Sequence, residues 1–183
     1  WASFALAIAL LRQVMDTGAI SYLLGDWAAP WGIEYRIDQL SAFIILIVTA
    51  IGSVMMVFAP KSVTAEIPGD RVYLFYTMYL LTFAGLLGMA ATGDAFNLFV
   101  FLEISSLSTY VLISLGKERR ALTAAYRYLV LGTLGATFYI IGVGMMYQMT
   151  GTLNMADLAV RLPAVAETKT ILVAVGFLTV GIG

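Results

Sequence analysis

The sequence predicts an all-α, polytopic transmembrane helical bundle. Three observations lead there. Hydrophobic residues make up 61% of the 183 positions and charged residues only 11%, with a mean hydropathy of +0.94. Soluble domains carry about 25% charged residues, and a small globule has too little interior to hide this much apolar surface. The apolar residues also fall into uncharged runs of about 20, the length that crosses ~30 Å of hydrocarbon. Short connections rich in Gly, Pro and charge separate those runs.

The first run covers residues 1–15 and ends near Arg12. It opens at Trp1 with neither a basic leader nor a small-residue cleavage site, so it reads as a truncated span rather than a signal peptide. Residues 16–38 are polar, with Gly18, Gly25, Pro30 and Gly32 around Trp27, Trp31 and Tyr35. Turn residues mixed with interfacial aromatics predict a hairpin at the membrane surface. The second span covers 39–59 and is expected to stop at Pro60 and Lys61. The third covers 72–92, followed by a tight Gly93-Asp94 connection in which Asp94 is placed to cap the next helix. The fourth covers 95–115, with Gly116 as its expected C′ residue, and holds Glu103. The fifth covers 121–149 and carries a small-residue face of Gly132, Gly135, Ala136, Gly142 and Gly144 for close helix packing. A loop or short amphipathic helix fills 150–168, and a last span begins near Lys169 and is truncated at Gly183. No internal repeat or low-complexity segment breaks the chain, which reads as one bundle.

Orientation follows from Lys and Arg in the short loops. Lys61, Arg71, Lys117, Arg119 and Arg120 put the second–third and fourth–fifth connections on the cytoplasmic side. The hairpin, the Gly93-Asp94 turn and the 150–168 connection then face outward.

Composition also narrows the chemistry. The chain has no Cys and no His, so it supplies no Cys-ligated iron–sulfur cluster, no Cys/His zinc site and no His-based nucleophile system. Gly142-Val-Gly144 lacks the third glycine and the strand–turn–helix setting of a dinucleotide loop. No cofactor is expected. A net charge of −1 gives no electrostatic case for nucleic acid.

Glu103 is the leading candidate residue. It lies about 12 Å below the outer end of its span at 1.5 Å per residue, too deep for Glu to reach water. A charge at a helix centre costs about 2.5–3.5 kcal/mol on insertion scales. Three outcomes fit: a cation on another helix, a water-filled cavity, or a protonated carboxyl bonded to hydroxyls such as that of Ser106. Each suits a proton or cation path better than plain interhelical glue. Ser106 and Tyr110 share the Glu103 side of the helix, while Asn97, Ser105, Ser108 and Thr109 form a second polar band opposite. Arg127, about two turns into the fifth span, is either a snorkelling cation or one that faces the bundle and tunes a carboxyl. Its depth makes it a poor direct partner for Glu103, and it holds its proton at any working pH. Asp94 sits at the outer mouth above Glu103, where capping competes with a role in ion entry.

Four stretches carry a resemblance: Gly32 to Ala42, Thr92 to Glu103, Tyr126 to Gly132 and Thr150 to Leu158. In this order and spacing they resemble the antiporter-like membrane subunits, which join Mrp-type cation/proton antiporters to the proton-pumping subunits of respiratory complex I and membrane-bound hydrogenases. The Gly151-Thr-Leu-Asn-Met-Ala-Asp157 run is most similar to the D-type subunits of Mrp antiporters. The resemblance implies the N-terminal part of an antiporter-like fold, built from repeats of five helices that each contain a discontinuous helix. It implies that a Glu at the position of Glu103 pairs with a Lys on the discontinuous helix two spans later, which lies beyond Gly183. It implies a proton path through Glu103, with Arg127 where relatives often carry Lys. It implies H⁺ and a monovalent cation, Na⁺ first, as transported ions, other membrane subunits and the lipid bilayer as partners, and a multi-pass place in the inner (plasma) membrane. The alternative it leaves open is a non-redox, proton-pumping subunit of NADH:quinone oxidoreductase or a hydrogenase.

Overall fold

A computed structural model describes all residues, 1–183. Seven helices carry the chain: α1 (Ala2–Thr17), α2 (Gln39–Glu66), α3 (Val72–Ala91), α4 (Ala95–Ser114), α5 (Arg119–Thr150), α6 (Met155–Val165) and α7 (Lys169–Ile182). Four segments, Gln39–Glu66, Gly69–Ala91, Ala95–Ser114 and Arg119–Thr150, are long and apolar enough to cross a membrane. Between α1 and α2 lies an antiparallel hairpin of β1 (Ile20–Leu23) and β2 (Glu34–Ile37), in register from Ile20 opposite Ile37 to Leu23 opposite Glu34.

The chain folds as a sequential bundle. Helices α1 to α5 pack each on the next, and α7 returns along α5. Small residues set the closest approaches. A Cβ on Gly85 would stand 2.7 Å from the Ser105 Cβ and 2.9 Å from the Phe101 carbonyl oxygen, and one on Gly88 would fall on the Phe101 ring. So α3 and α4 meet nearly backbone to backbone. The same holds for α5 and α7, where a Cβ on Gly135 would lie 2.9 Å from the Gly181 carbonyl oxygen. Gly132 and Gly142 of the small-residue face also meet neighbours, Tyr110 and Leu178, whereas Gly144 faces open space. Large apolar residues such as Phe43, Ile51, Phe58, Leu131 and Leu134 point outward. Lipid or neighbouring chains can accept them without the penalty water would impose.

One expected helix end falls elsewhere. Pro60 does not stop α2, which runs on to Glu66. Pro60 forfeits one backbone bond, but the extra turns are held from outside: Val63 and Ile67 pack with Leu115, and the Lys117 ammonium donates to the Ala65 carbonyl at 2.8 Å. Pro60→Ala should restore the missing bond and raise stability by up to about 3 kcal/mol, read as a higher unfolding midpoint. The end of α4 falls where expected, with Gly116 at C′, although not in the left-handed conformation. Leu115, itself helical in φ and ψ, caps α4, and the left-handed glycine that closes a long helix here is Gly151, at φ 71°, after α5.

The connections sort to two ends. The α2–α3 and α4–α5 turns share one end, where Pro68, Arg71, Gly116 and Arg119 line a common cavity. The hairpin, the α3–α4 turn and the α5–α6 turn share the other. There Tyr35 bridges to Thr92 and Asp94 bridges to Asn154.

Candidate functional site

The α4 helix starts because Asp94 accepts the Asn97 amide at 2.8 Å. Its two polar bands then behave differently. Ser108 and Thr109 donate to the carbonyls of Ile104 and Ser105 at 2.7 Å, and Asn97 donates to the Thr92 hydroxyl at 3.0 Å. Their bonding capacity is spent locally, as packing-side hydroxyls do. The opposite band, Glu103, Ser106 and Tyr110, spends none of its side-chain groups on the helix backbone.

Residues 99, 103, 106 and 110 share one face of a helix with 100° per residue. Phe99 stacks on Tyr139 of α5 at 6.4 Å, and Tyr110 meets Tyr128 of α5 edge to face at 5.0 Å. Glu103 therefore stands on the side of α4 turned to α5. Ser106, Tyr110 and Tyr128 line a cavity of about 590 Å³ between α4, α5 and the end of α7. Ser106 is the polar neighbour of the Tyr110 hydroxyl, and Glu103 shares their helix face. Glu103 is half-buried.

The structure brings Glu103, Ser106 and Tyr110 together, but not as a bonded carboxyl. Glu103 does not bond Ser106, one of the outcomes the sequence allows, because Ser106 turns to Tyr110 and the cavity. Arg127 stands apart. It is exposed and makes no ion pair, the one ion pair of the chain being Asp157–Arg161 at 2.9 Å. With Phe99 opposite Tyr139 and Tyr110 opposite Gly132, Glu103 is level with residue 136 of α5. Arg127 is then about 13 Å away along the axis at 1.5 Å per residue. Asp94 is only 5% exposed and serves as cap and turn. Burial raises its carboxyl above its ordinary value, against the pull of the Asn97 and Phe96 amides.

A second buried carboxyl, in the Gly32 to Ala42 stretch but not singled out there, stands at the outer end. Glu34 on β2 is 8% exposed and accepts the Ser21 hydroxyl and the Asn154 side-chain amide, each at 2.6 Å. Its carbonyl accepts the Gly93 amide at 2.8 Å, and Met155 donates to the Gly93 carbonyl at 2.8 Å. Asn154 also caps α6 by accepting the Ala156 and Asp157 amides. Glu34 thus clasps the hairpin, the α3–α4 turn and α6. The sequence signal was Asn154 ahead of Met-Ala-Asp, a cap pattern; nothing local pointed to Glu34 as its partner.

The Ser21 bond leads in holding the Glu34 carboxyl below its ordinary value, helped by Asn154 and Arg36 and opposed by burial. Because the folded value is lowered, the stabilisation is full above the ordinary carboxylate range and is lost as pH falls through the lowered value. Protection of the α6 amides, relative to the intrinsic exchange rate at each pH, should be full at neutral pH and fall only in acid below that range. Asn154→Ala should cost about 3 kcal/mol, from a bond to a charged group plus a helix cap, and speed α6 exchange at neutral pH as well.

Comparison with known proteins places the chain in a family. The family model described as NADH:quinone oxidoreductase/Mrp antiporter, TM, matches residues 92–183. The NADH-quinone oxidoreductase subunit N of Desulforudis audaxviator is 46% identical over 97% of this chain and 35% of its own length. The Na(+)/H(+) antiporter D-type subunit of Alkalihalophilus pseudofirmus is 36% identical over 95% of this chain and 35% of its own length. The chain thus spans about a third of the length of these relatives. Among solved structures, an archaeal membrane-bound sulfane sulfur reductase superposes with a TM-score of 0.90 at 36% identity, covering 99% of this chain and 36% of that one. The Mrp complex of Dietzia sp. superposes at 0.84 and 26% identity, covering 99% and 33%. The family model spans half of this chain and the superpositions nearly all of it, and the chain belongs to the NADH:quinone oxidoreductase/Mrp antiporter transmembrane family.

Proposed function

We propose that this chain is part of a proton-translocating subunit of a multisubunit complex in the plasma membrane, with Glu103 as the carboxyl that takes up and releases the proton. The observation that carries this is the placement of Glu103: mid-helix, turned to α5, beside a cavity with hydroxyl-bearing walls and without an internal partner. Glu can carry a proton and bond water; the hydroxyls of Ser106, Tyr110 and Tyr128 can order that water. The partner cation is a Lys following α7. In support, Gly181 lies against Gly135, near the level of Glu103, so a residue shortly after it arrives at that depth. An ion pair there that opens and closes changes the proton affinity of both groups. Asp94 is the outer-mouth residue of the path, and Arg127 sets the field near the opposite end, which the Lys and Arg loops assign to the cytoplasm.

The ion exchanged for H⁺ is Na⁺ or another monovalent cation, the reading that the likeness to Na(+)/H(+) antiporter chains supports. The higher identity to an NADH-quinone oxidoreductase chain favours a second reading, in which electron transfer in partner subunits drives the proton. Vesicles containing the full complex separate the two. Under cation exchange, added Na⁺ collapses a preset pH gradient in proportion to its concentration. Under the second reading Na⁺ leaves the gradient unchanged, and an electron donor with quinone builds one.

A further inference from the structure

At the end opposite the hairpin, the α2–α3 turn and the α4–α5 loop enclose a cavity of about 460 Å³. Its walls include Arg71, Lys117 and Arg119, together with Asp70, Glu118 and Ser114. We infer that this cavity holds the phosphate of an anionic phospholipid whose acyl chain lies along α5. The cations are available: neither Arg71 nor Arg119 pairs with Asp70 or Glu118, since the only ion pair of the chain lies in α6. Lys117 is held in place by its bond to the Ala65 carbonyl at 2.8 Å. Arg119 opens α5, whose first turn has no side-chain cap although the Ala121 amide donates to the Glu118 carbonyl at 2.9 Å, so the positive end of this 32-residue helix lies at the same cavity.

The depth and the adjoining surface select a lipid. The cavity sits where α3 begins, α4 ends and α5 begins, the boundary of three apolar spans. Below it, Leu122, Tyr126 and Leu129 form one exposed apolar strip on α5, 60%, 67% and 38% exposed. Basic pockets between helices at the membrane surface bind anionic headgroups, each nearby cation contributing roughly a factor of five in affinity.

The test uses the full-length protein in nanodiscs of phosphatidylcholine with about 20% phosphatidylglycerol, an anionic share chosen to compete for basic sites, with retained lipid counted by native mass spectrometry after delipidation. Wild type is expected to retain phosphatidylglycerol over phosphatidylcholine, and Arg71→Gln with Arg119→Gln to weaken that retention about 25-fold. Arg36→Gln, at the far end, should leave it unchanged. If the double variant does not fold, raising salt on wild type must release the phosphatidylglycerol, because an electrostatic site is screened. Equal retention by the double variant, or salt-independent retention, overturns the inference. Displacement by millimolar inorganic phosphate with no preference for phosphatidylglycerol overturns it too, by making the occupant a free anion.

Discussion

Replacing Gly88 by leucine is expected to part α3 from α4 and to cost about 3 kcal/mol, the upper end for overpacking a closed interface. The side chain has nowhere to go. Its first carbon already falls on the Phe101 ring, and one turn away Gly85 lies against the backbone of α4 itself. Gly85→Ala should therefore destabilise as well, by about 1–3 kcal/mol, since a backbone cannot swing aside as a side-chain tip can. Gly144→Ala is the matched control. It sits inside α5 with open space where the methyl would go, and alanine is the better helix former by up to about 1 kcal/mol. Unfolding midpoints of the full-length variants in detergent should rank Gly144→Ala at or above wild type, then Gly85→Ala, then Gly88→Leu. A Gly88→Leu midpoint equal to that of wild type would mean that α3 and α4 do not approach this closely.

The second large effect is functional. Glu103→Gln should reduce proton transport by the complex at least tenfold while leaving the fold within about 0.5 kcal/mol of wild type. Gln keeps the shape but cannot carry a proton. Stability barely changes because nothing within residues 1–183 bonds the Glu103 carboxyl, and the proposed Lys pair is one that opens as well as closes. Glu34→Gln makes the opposite pattern. That carboxylate holds the hairpin to α6 through Ser21 and Asn154, so its loss should cost about 1.5–3 kcal/mol in the outer cap. The contrast separates two acids that composition alone treats alike.

The long apolar helices, the capping role of Asp94 and the face shared by Glu103, Ser106 and Tyr110 were legible in the sequence, because each depends on helical period and hydropathy. The end of α2 was not. Pro60 is a local stop signal, and it is overridden by Val63, Ile67 and Lys117, whose contacts tie α2 to a loop far along the chain. Nor was the Glu34–Asn154 clasp, which joins residues from two connections that share no pattern. The direction of Arg127 was also hidden. Periodicity can place a residue on a face, but only the packing of α5 against α4 and α7 decides which face looks outward.

Infrared difference spectroscopy on the full-length complex, wild type beside Glu103→Gln, tests the central role of Glu103 most directly. Recorded while a pH gradient drives transport, wild type is expected to show a carboxyl C=O band that rises and falls with turnover and is missing from the variant. A spectrum in which that band persists in Glu103→Gln, together with undiminished proton flux, would contradict a proton-carrying role for Glu103.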